Sequence, residues 1–251
     1  MYTAELIFKL EQGKDTKNAE EAIDVLLGAL RMNGQILGRE FPVGRKDENY
    51  RAYLLLPTTD SLDKKCANNY VRDAIHKLDE VGLNYSSVLT GKEPYAASAC
   101  RCGASKSFIL YTHYISLESP LRCGCCFGII PLYRLHPTSN GEYVDILTWQ
   151  SDYQACDTLQ MNSATGERFA LHQISRFDSS LSQRGIEICN NITSLTGIPT
   201  YYYLYRAIRR GKKSEQKRKC PSCTDDWFLK EPLHQLFDFR CDRCRLLSNF
   251  A

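Results

Sequence analysis

The cysteines constrain this chain more than any other feature of its sequence. Near the C-terminus, Cys220 and Cys223 form one Cys-x2-Cys pair, and Cys241 and Cys244 form another seventeen residues later. Two such pairs at this separation are typical of a four-cysteine zinc ribbon, in which a hairpin brings both pairs to one tetrahedral site. The alternative is two redox Cys-x-x-Cys pairs, which is disfavoured because the surrounding residues do not predict a βαβ unit. We therefore predict a metal site made of these four cysteines.

A second group of cysteines lies upstream. Its members are Cys100, Cys102, Cys123, Cys125 and Cys126. Cys123 and Cys126 restore the Cys-x2-Cys spacing, so we expect them to be ligands and Cys125 to be a bystander. The spacing leaves open whether Cys125 replaces one of them.

The first arm of that group, Cys100-x-Cys102, is one residue shorter than the usual pair. Gly103 follows it and supplies the backbone freedom that the residue after such a pair often needs. His113 lies between the two arms and is an alternative ligand, although a lone histidine there is more often an ordinary strand residue. The predicted ligands of this site are Cys100, Cys102, Cys123 and Cys126.

Both sites are predicted to hold structural Zn²⁺. Four thiolates fill the coordination shell and leave no position for a reactive water. Each occupied site carries a charge of −2, so two sites shift the formal net charge from +3 to roughly −1. Among the remaining cysteines, Cys66 and Cys189 are expected to be small buried side chains on helices.

Composition places the chain among globular proteins without a membrane span. Apolar residues make up 43% and charged residues 24% of the 251, which suits a buried core and excludes wholesale disorder. The longest apolar run, 127–133, is far shorter than the roughly eighteen residues that a membrane span needs. The first nine residues lack the basic and apolar regions of a secretory signal. We therefore expect a cytoplasmic protein whose cysteines bind metal rather than form disulfides.

The first part of the chain shows a readable order of elements. Apolar residues alternate over 4–10, which predicts a strand, and they recur at helical spacing over 18–33. A β-like segment over 36–57, a second helix ending at Gly82 and a short final strand follow. The order βαββαβ predicts a ferredoxin-like α+β domain over residues 1–92.

Residues 93–205 are predicted to form an α+β region around the first zinc site. Within it, 143–150 is predicted as a strand and 153–160 as a short helix. The clearest helix covers 178–196, where apolar residues recur at helical spacing. The tyrosine-rich run 200–205 predicts a strand.

A basic linker is predicted over residues 206–219, ahead of a small four-cysteine zinc ribbon over 220–251. Its eight basic residues are Arg206, Arg209, Arg210, Lys212, Lys213, Lys217, Arg218 and Lys219. The one acidic residue among them is Glu215. Because the segment has no apolar periodicity, we expect it to be solvated and flexible.

Several runs of this sequence resemble a bacterial family of uncharacterised proteins. They are Ser119-Pro-Leu-Arg-Cys-Gly-Cys-Cys-Phe-Gly128, Pro131-Leu-Tyr-Arg134, Tyr201-Tyr-Tyr-Leu-Tyr205 and Cys241-Asp-Arg-Cys-Arg-Leu-Leu-Ser-Asn249. That family is described as zinc-ribbon-containing and as a candidate group of nucleic-acid binders. The resemblance implies metal ligation by Cys123, Cys126, Cys220, Cys223, Cys241 and Cys244. It brings no catalytic residues with it.

The basic segment favours nucleic-acid binding. Basic side chains beside the tyrosine run and the ribbon form the combination of charge and stacking that holds single strands. If all eight basic groups contacted phosphates of a single strand, log K would fall with log salt at a slope of roughly −5 to −6. A solvated tether is the alternative interpretation, and about half of the tyrosines are then expected to face the core.

Protein binding is the second hypothesis. A rigid body with two closed zinc sites suits a protein that covers a partner, for example an immunity protein that neutralises a cognate bacterial toxin. Acidic residues would complement the basic cleft of a nuclease toxin. Five acidic residues lie in one region of the sequence, namely Glu142, Asp145, Asp152, Asp157 and Glu167.

No catalytic residue is predicted. The nucleophiles with a base nearby in sequence are Ser179 and Ser180 with His172, and Cys156 with Asp152 and Asp157. Neither set has the spacing of a nucleophile elbow, a phosphate loop or an open metal site. The sequence therefore predicts a non-enzymatic, two-zinc protein that binds a macromolecule rather than a small-molecule substrate or a membrane.

Overall fold

Two β-sheets and several helices make up a mixed α+β fold, as the sequence predicts. The structure is a computed structural model that describes residues 1–47, 49–207 and 211–251, without the side chains of Thr16 and Lys212. The chain forms two compact units. The N-terminal unit comprises residues 1–99, 117–119 and 129–144, and the cysteine unit comprises residues 100–116, 120–128 and 145–251.

The N-terminal unit contains a four-stranded sheet and two helices. Its elements are β1 (Tyr2–Leu10), α1 (Thr16–Met32), β2 (Val43–Lys46), β3 (Asn49–Leu56), α2 (Asn69–Glu80) and β4 (Leu83–Lys92). The strand order is β2-β3-β1-β4, and every neighbouring pair is antiparallel. Asp15 and Asn68 cap the two helices, since their side chains accept hydrogen bonds from the N–H groups of Lys17 and Val71.

The core of this unit follows the periodicities read from the sequence. Alternate residues of β1, such as Leu6 and Phe8, are buried, while Lys9 is exposed. Residues at helical spacing on α1, such as Ile23 and Leu26, are buried in the same hydrophobic cluster. The predicted order of strands and helices over this segment is confirmed.

The cysteine unit is built on a six-stranded sheet. The strands are β5 (Phe108–Leu110), β6 (Leu121–Cys123), β7 (Thr200–Leu204), β8 (Phe228–Leu233), β9 (Phe237–Cys241) and β10 (Leu246–Ser248). The helices are α3 (Val144–Asn162), α4 (Glu167–Ser175), α5 (Ser180–Thr196) and α6 (Lys212–Gln216). The sheet order is β6-β5-β7-β10-β9-β8, and β7 runs parallel to both β5 and β10.

Helix α5 packs very closely on the central strand β7. A Cβ atom at Gly185 would lie 2.2 Å from the Tyr202 ring and 2.8 Å from Trp149 Nε1. A glycine is therefore required there for the helix to approach the strand. The predicted helix over 178–196 is confirmed, within two residues at its start.

The region 143–160 differs from its prediction. Instead of a strand and a short helix, it forms the single helix α3. Ile146, Trp149, Tyr153 and Cys156 follow one another at intervals of three or four residues and are all buried. The predicted strand over 143–150 is therefore wrong, since residues 144–150 belong to this helix.

The two compact units are divided differently from the predicted domains. Residues 129–144 belong to the N-terminal unit, although we expected them in the region around the first zinc site. The predicted C-terminal ribbon shares a sheet with the residues before it, because Leu246 and Ser248 of β10 pair with Tyr202 and Leu204 of β7. Among the residues that the structure describes, no helix is both long and apolar enough to cross a membrane.

Candidate metal centres

The second cluster, Cys220, Cys223, Cys241 and Cys244, comes together at the end of the ribbon hairpin. Its four sulfur atoms all lie within 4.8 Å of one another, and the Cys223 and Cys241 sulfurs are 3.6 Å apart. Cys220 and Cys241 are buried, and Cys223 and Cys244 are half-buried.

The first cluster, Cys100, Cys102, Cys123 and Cys126, has the same arrangement. Its four sulfurs also lie within 4.8 Å of one another, with 3.6 Å between Cys126 and Cys100 and 4.0 Å between Cys123 and Cys102. Cys125 is exposed and outside the group, and His113 is outside it too. The choice of Cys126 over Cys125 made from spacing agrees with this arrangement.

Both clusters fit a tetrahedral metal ion. A metal–sulfur distance of 2.3 Å implies about 3.8 Å between neighbouring sulfurs of the tetrahedron. The sulfur–sulfur distances given above lie on both sides of that value. Each cluster can therefore hold a metal ion through four cysteines.

The Cys-x2-Cys turns share one backbone feature. Phe127, Thr224 and Arg245 each follow the second cysteine of a pair, and their φ angles are 58°, 64° and 51°. A left-handed residue at this point turns the chain back, and the N–H of Phe127 donates to Cys123 O at 2.8 Å. Gly103, which follows the shorter arm, does not share this feature, since its φ is not in the left-handed region.

Hydrogen bonds favour a thiolate at Cys123. Burial opposes its ionisation, but the Ser105 hydroxyl and the N–H groups of Cys126 and Cys125 outweigh burial and lower the pKa of Cys123 to about 6. The neighbouring thiols of Cys126 and Cys100 raise the pKa of Cys102 to about 12. Without a cation, one thiol of the cluster ionises readily and another resists ionisation. A bound divalent cation would stabilise all four thiolates together.

A tyrosine and an arginine brace the second cluster. Asp242 lies between Cys241 and Cys244, and its carboxylate accepts a hydrogen bond from the Tyr201 hydroxyl at 2.6 Å. Arg240 Nε donates to the same oxygen at 2.5 Å, and its guanidinium lies over the Tyr201 ring at 4.9 Å. Sequence reasoning missed this brace, because it joins residues forty positions apart through strand pairing.

The tyrosine run is buried rather than available for stacking. Tyr201, Tyr202 and Tyr203 are 6%, 1% and 7% exposed. We expected about half of the tyrosines to face the core. The buried fraction is larger, because β7 lies inside the six-stranded sheet and all five of its residues are buried.

The basic segment is partly folded. Glu215, on α6, is only 3% exposed, and its carboxylate accepts a hydrogen bond from the Arg206 guanidinium at 2.7 Å. Arg218 Nε lies 3.4 Å from the same carboxylate. The prediction of a solvated, flexible linker is wrong for these residues, because one buried acid holds two arginines.

Arg218 is part of the ribbon's interior. Its guanidinium lies 4.9 Å from the Trp227 ring centre and 4.0 Å from that of Phe239. It donates to Ser248 Oγ at 3.1 Å and to Asn249 O at 2.9 Å. Burial lowers the pKa of Arg218 to about 10. This arginine stabilises packing and is not placed to contact phosphate.

The other predicted nucleic-acid residues differ in accessibility. Lys213, Lys217 and Lys219 are exposed, and Lys219 Nζ lies 2.7 Å from the Asp226 carboxylate. Arg209, Arg210 and the side chain of Lys212 lie outside the described residues.

Two of the acidic residues of the protein-binding hypothesis, Asp157 and Asp152, have partners within the protein. Asp157 is 8% exposed and accepts a hydrogen bond from the Tyr114 N–H at 2.8 Å. Burial raises its pKa. Asp152 forms an ion pair with Arg184 at 2.6 Å. At least Asp157 therefore anchors a loop rather than faces a partner.

The nucleophiles considered from sequence have structural partners. Ser179 caps α5, since its hydroxyl accepts from the Ser182 N–H and donates to Gln173 O. Cys156 is buried, and burial raises its pKa, which disfavours the reactive thiolate.

Comparisons with known proteins agree on a family without a described activity. Three family models match the chain, each described as a domain of unknown function: DUF8589 over residues 1–91, DUF2310 over 102–205 and DUF8594 over 209–251. An uncharacterised protein of Haemophilus influenzae is 34% identical over 257 residues, which cover 100% of this chain and 98% of that protein. The chain belongs to the same family as this protein.

Two further matches are shorter. A second uncharacterised protein of Haemophilus influenzae is 43% identical over 143 residues, or 57% of this chain and 70% of that protein. A solved structure from Deinococcus radiodurans, provisionally named an antibiotic biosynthesis monooxygenase, covers 41% of this chain and 100% of its own. Its identity is 14% and its TM-score is 0.27, which supports no argument about fold or activity.

Proposed function

We propose that this chain is a non-enzymatic cytoplasmic protein that holds two structural Zn²⁺ ions and binds nucleic acid beside its C-terminal ribbon. Zinc is supported by the donor set, since four thiolates in a tetrahedron favour zinc over metals that prefer oxygen ligands. Four protein ligands also close the shell, so the ions would stabilise the fold rather than activate water. Metal analysis of the purified chain tests this part, and iron or fewer than two ions would contradict it.

Exposed lysines before the ribbon carry the nucleic-acid proposal. Lys213, Lys217 and Lys219 are exposed within seven residues of one another, next to the folded second cluster. Such cations contact phosphates without reading sequence. Arg206 and Arg218 are engaged internally, so three lysines are available among the segment's described side chains. Three phosphate contacts give a salt slope of roughly −2 for a single strand.

A charge-neutralising variant tests this surface. We expect the triple variant Lys213→Gln, Lys217→Gln, Lys219→Gln to lose binding of a labelled single-stranded RNA, measured by fluorescence anisotropy at low salt. The matched control is Lys17→Gln, Lys64→Gln, Lys65→Gln, which also removes three exposed lysines, one of them paired with an acid, Asp63. Equal affinities for the two variants would contradict the proposal.

A second candidate function, protein binding, is favoured by one surface loop. Gln154 Nε2 donates to Thr112 Oγ1 at 3.1 Å, and to the carbonyl oxygens of His113 and Ser116, so the loop is held from beneath. The loop presents Ile115, which is 66% exposed. An apolar side chain on a well-anchored loop suits a protein partner. Loss of one stoichiometric partner from nuclease-treated lysate in an Ile115→Ser variant would support this function, and unchanged capture would oppose it.

We also propose that the N-terminal unit is ferredoxin-like. The support is its βαββαβ element order together with an antiparallel sheet in which β1 lies between β3 and β4. Interstrand nuclear Overhauser effects from β1 to both neighbours test this arrangement, and their absence would contradict it.

A further inference from the structure

The hairpin between β8 and β9 has an unusual tip. Leu236 N–H donates to Leu233 O at 3.1 Å, which closes the turn. The two residues between them, His234 and Gln235, have φ angles of 55° and 58°. Turns with two left-handed residues favour Asn-Gly at these positions. A histidine in this left-handed conformation carries a local energetic cost.

That side chain lies on the first cluster. The His234 ring stacks on Phe127 with 5.0 Å between ring centres and 28° between planes. Its Nε2 is 2.9 Å from Gly124 O. Because a carbonyl oxygen can only accept, Nε2 carries a proton and donates. The tip of the C-terminal hairpin thus contacts the Cys123–Cys126 turn through one hydrogen bond and one ring stack.

The same turn is fixed on another side by the segment before β5. Gly124 N–H donates to Ser107 O at 2.7 Å, and a Cβ at Gly124 would lie 2.0 Å from Ser107 Oγ. Phe127 also packs on Phe237 of β9 with 5.7 Å between ring centres. The turn that supplies Cys123 and Cys126 is therefore enclosed by two segments, one of which belongs to the ribbon.

We propose that His234 is a positioning residue that clasps the first cluster and makes its metal retention depend on the C-terminal hairpin. For a metal ion to leave, the sulfurs on the two arms must separate. His234 and Ser107 restrict this movement by holding the backbone of one arm. The clasp rests on the proposed metal content, and it adds that a residue outside the first cluster's ligands slows the release of its metal ion.

Chelator competition on the full-length, zinc-loaded chain tests the clasp. Zinc release to a chromogenic chelator is followed in the unchanged protein, in His234→Ala and in the control Gln235→Ala, which alters the neighbouring exposed residue of the same turn. A Cys102→Ser variant, which lacks one ligand of the first cluster, shows which release phase belongs to that cluster. We expect His234→Ala to release zinc from the first cluster about tenfold faster, as loss of one hydrogen bond permits. Release from the second cluster and the melting temperature should change little.

A second variant separates the effect of the His234 ring from the effect of the backbone conformation of the turn. His234→Asn suits the left-handed backbone but removes the ring stack, so the clasp predicts faster first-cluster release here as well. Unchanged first-cluster release in both His234 variants, or equal acceleration at both clusters, would overturn the clasp. Binding of fewer than two zinc ions by the unchanged protein would instead overturn the proposed metal content.

Discussion

The two cysteine clusters have the same ligands and nearly the same sulfur spacing, but the protein supports them differently. In the second cluster two cysteines are buried, and both arms are regular Cys-x2-Cys turns. In the first cluster Cys123 is buried, Cys102 and Cys126 are exposed, and one arm is a residue short. Ligand identity determines where a metal ion can bind, and we expect burial and bracing to determine how firmly it is held. We expect metal to leave the first cluster more readily.

The largest effect is expected from loss of the second metal. A separate ribbon over 220–251, as predicted from the sequence, implies that a change at Cys241 loosens only those residues. The structure predicts a wider effect, because β10 pairs with β7 and β7 pairs with β5. A structural zinc contributes about 10–16 kcal/mol to small fingers, so Cys241→Ser should expose most of the six-stranded sheet.

Hydrogen exchange measures how far the loss of structure extends beyond the second cluster. In Cys241→Ser, amides of β7 should lose protection while those of β1 and β3 keep it. Cys125→Ser is the matched control, since Cys125 is exposed and outside both clusters. Loss of amide protection confined to residues 220–251 would contradict this prediction and show that the ribbon unfolds independently of β7.

A smaller difference between the clusters is expected in the pH at which they release zinc. Metal binding requires thiolates, and thiols with a raised pKa, such as Cys102 at about 12, release protons when they bind. Affinity therefore rises with pH and falls as pH decreases. The second cluster also contains such a thiol: a backbone hydrogen bond from Asp225 lowers the pKa of Cys223, but burial and the neighbouring thiols outweigh it and raise that pKa. We therefore expect exposure of the cysteines to set the order of release. Zinc release followed from pH 8 downward should begin at the more exposed first cluster, and earlier release from the second would contradict the comparison.

The smallest effect is expected at the Tyr201 brace. Tyr201→Phe removes the hydrogen bond to Asp242 and leaves the ring in place. The loss is about 1 kcal/mol, which corresponds to a several-fold faster release from the second cluster. Tyr114→Phe, on an exposed tyrosine of the same unit, is the control. Faster release from the first cluster in Tyr201→Phe would show that the brace is not specific.

The cysteine clusters could be predicted because metal geometry limits the spacing of ligands. Two Cys-x2-Cys arms bring four sulfurs to one point in almost any surrounding fold. The same reasoning chose Cys126 over Cys125, and the structure groups the sulfur of Cys126. Ligand spacing could not predict the contacts of Asp242 and His234. Their partners, Tyr201 and Gly124, are distant in sequence and are brought near by the six-stranded sheet.

Charge was the least informative part of the sequence. The run from Arg206 to Lys219 looked solvated because its residues are basic and lack apolar spacing. Glu215, its one acid, was the signal that could have changed this interpretation, since a single carboxylate among cations is a natural internal partner. Its burial depends on the packing of Trp227 and Phe239 around Arg218, which no local pattern predicts.

Native mass spectrometry of the purified full-length chain during chelator titration tests the central claim most directly. The account predicts a mass with two Zn²⁺ ions and eight deprotonated cysteines, then a one-zinc species whose newly freed thiols map to Cys100, Cys102, Cys123 and Cys126. A protein that carries no metal, or a one-zinc species that has lost metal first from Cys220, Cys223, Cys241 and Cys244, would contradict it.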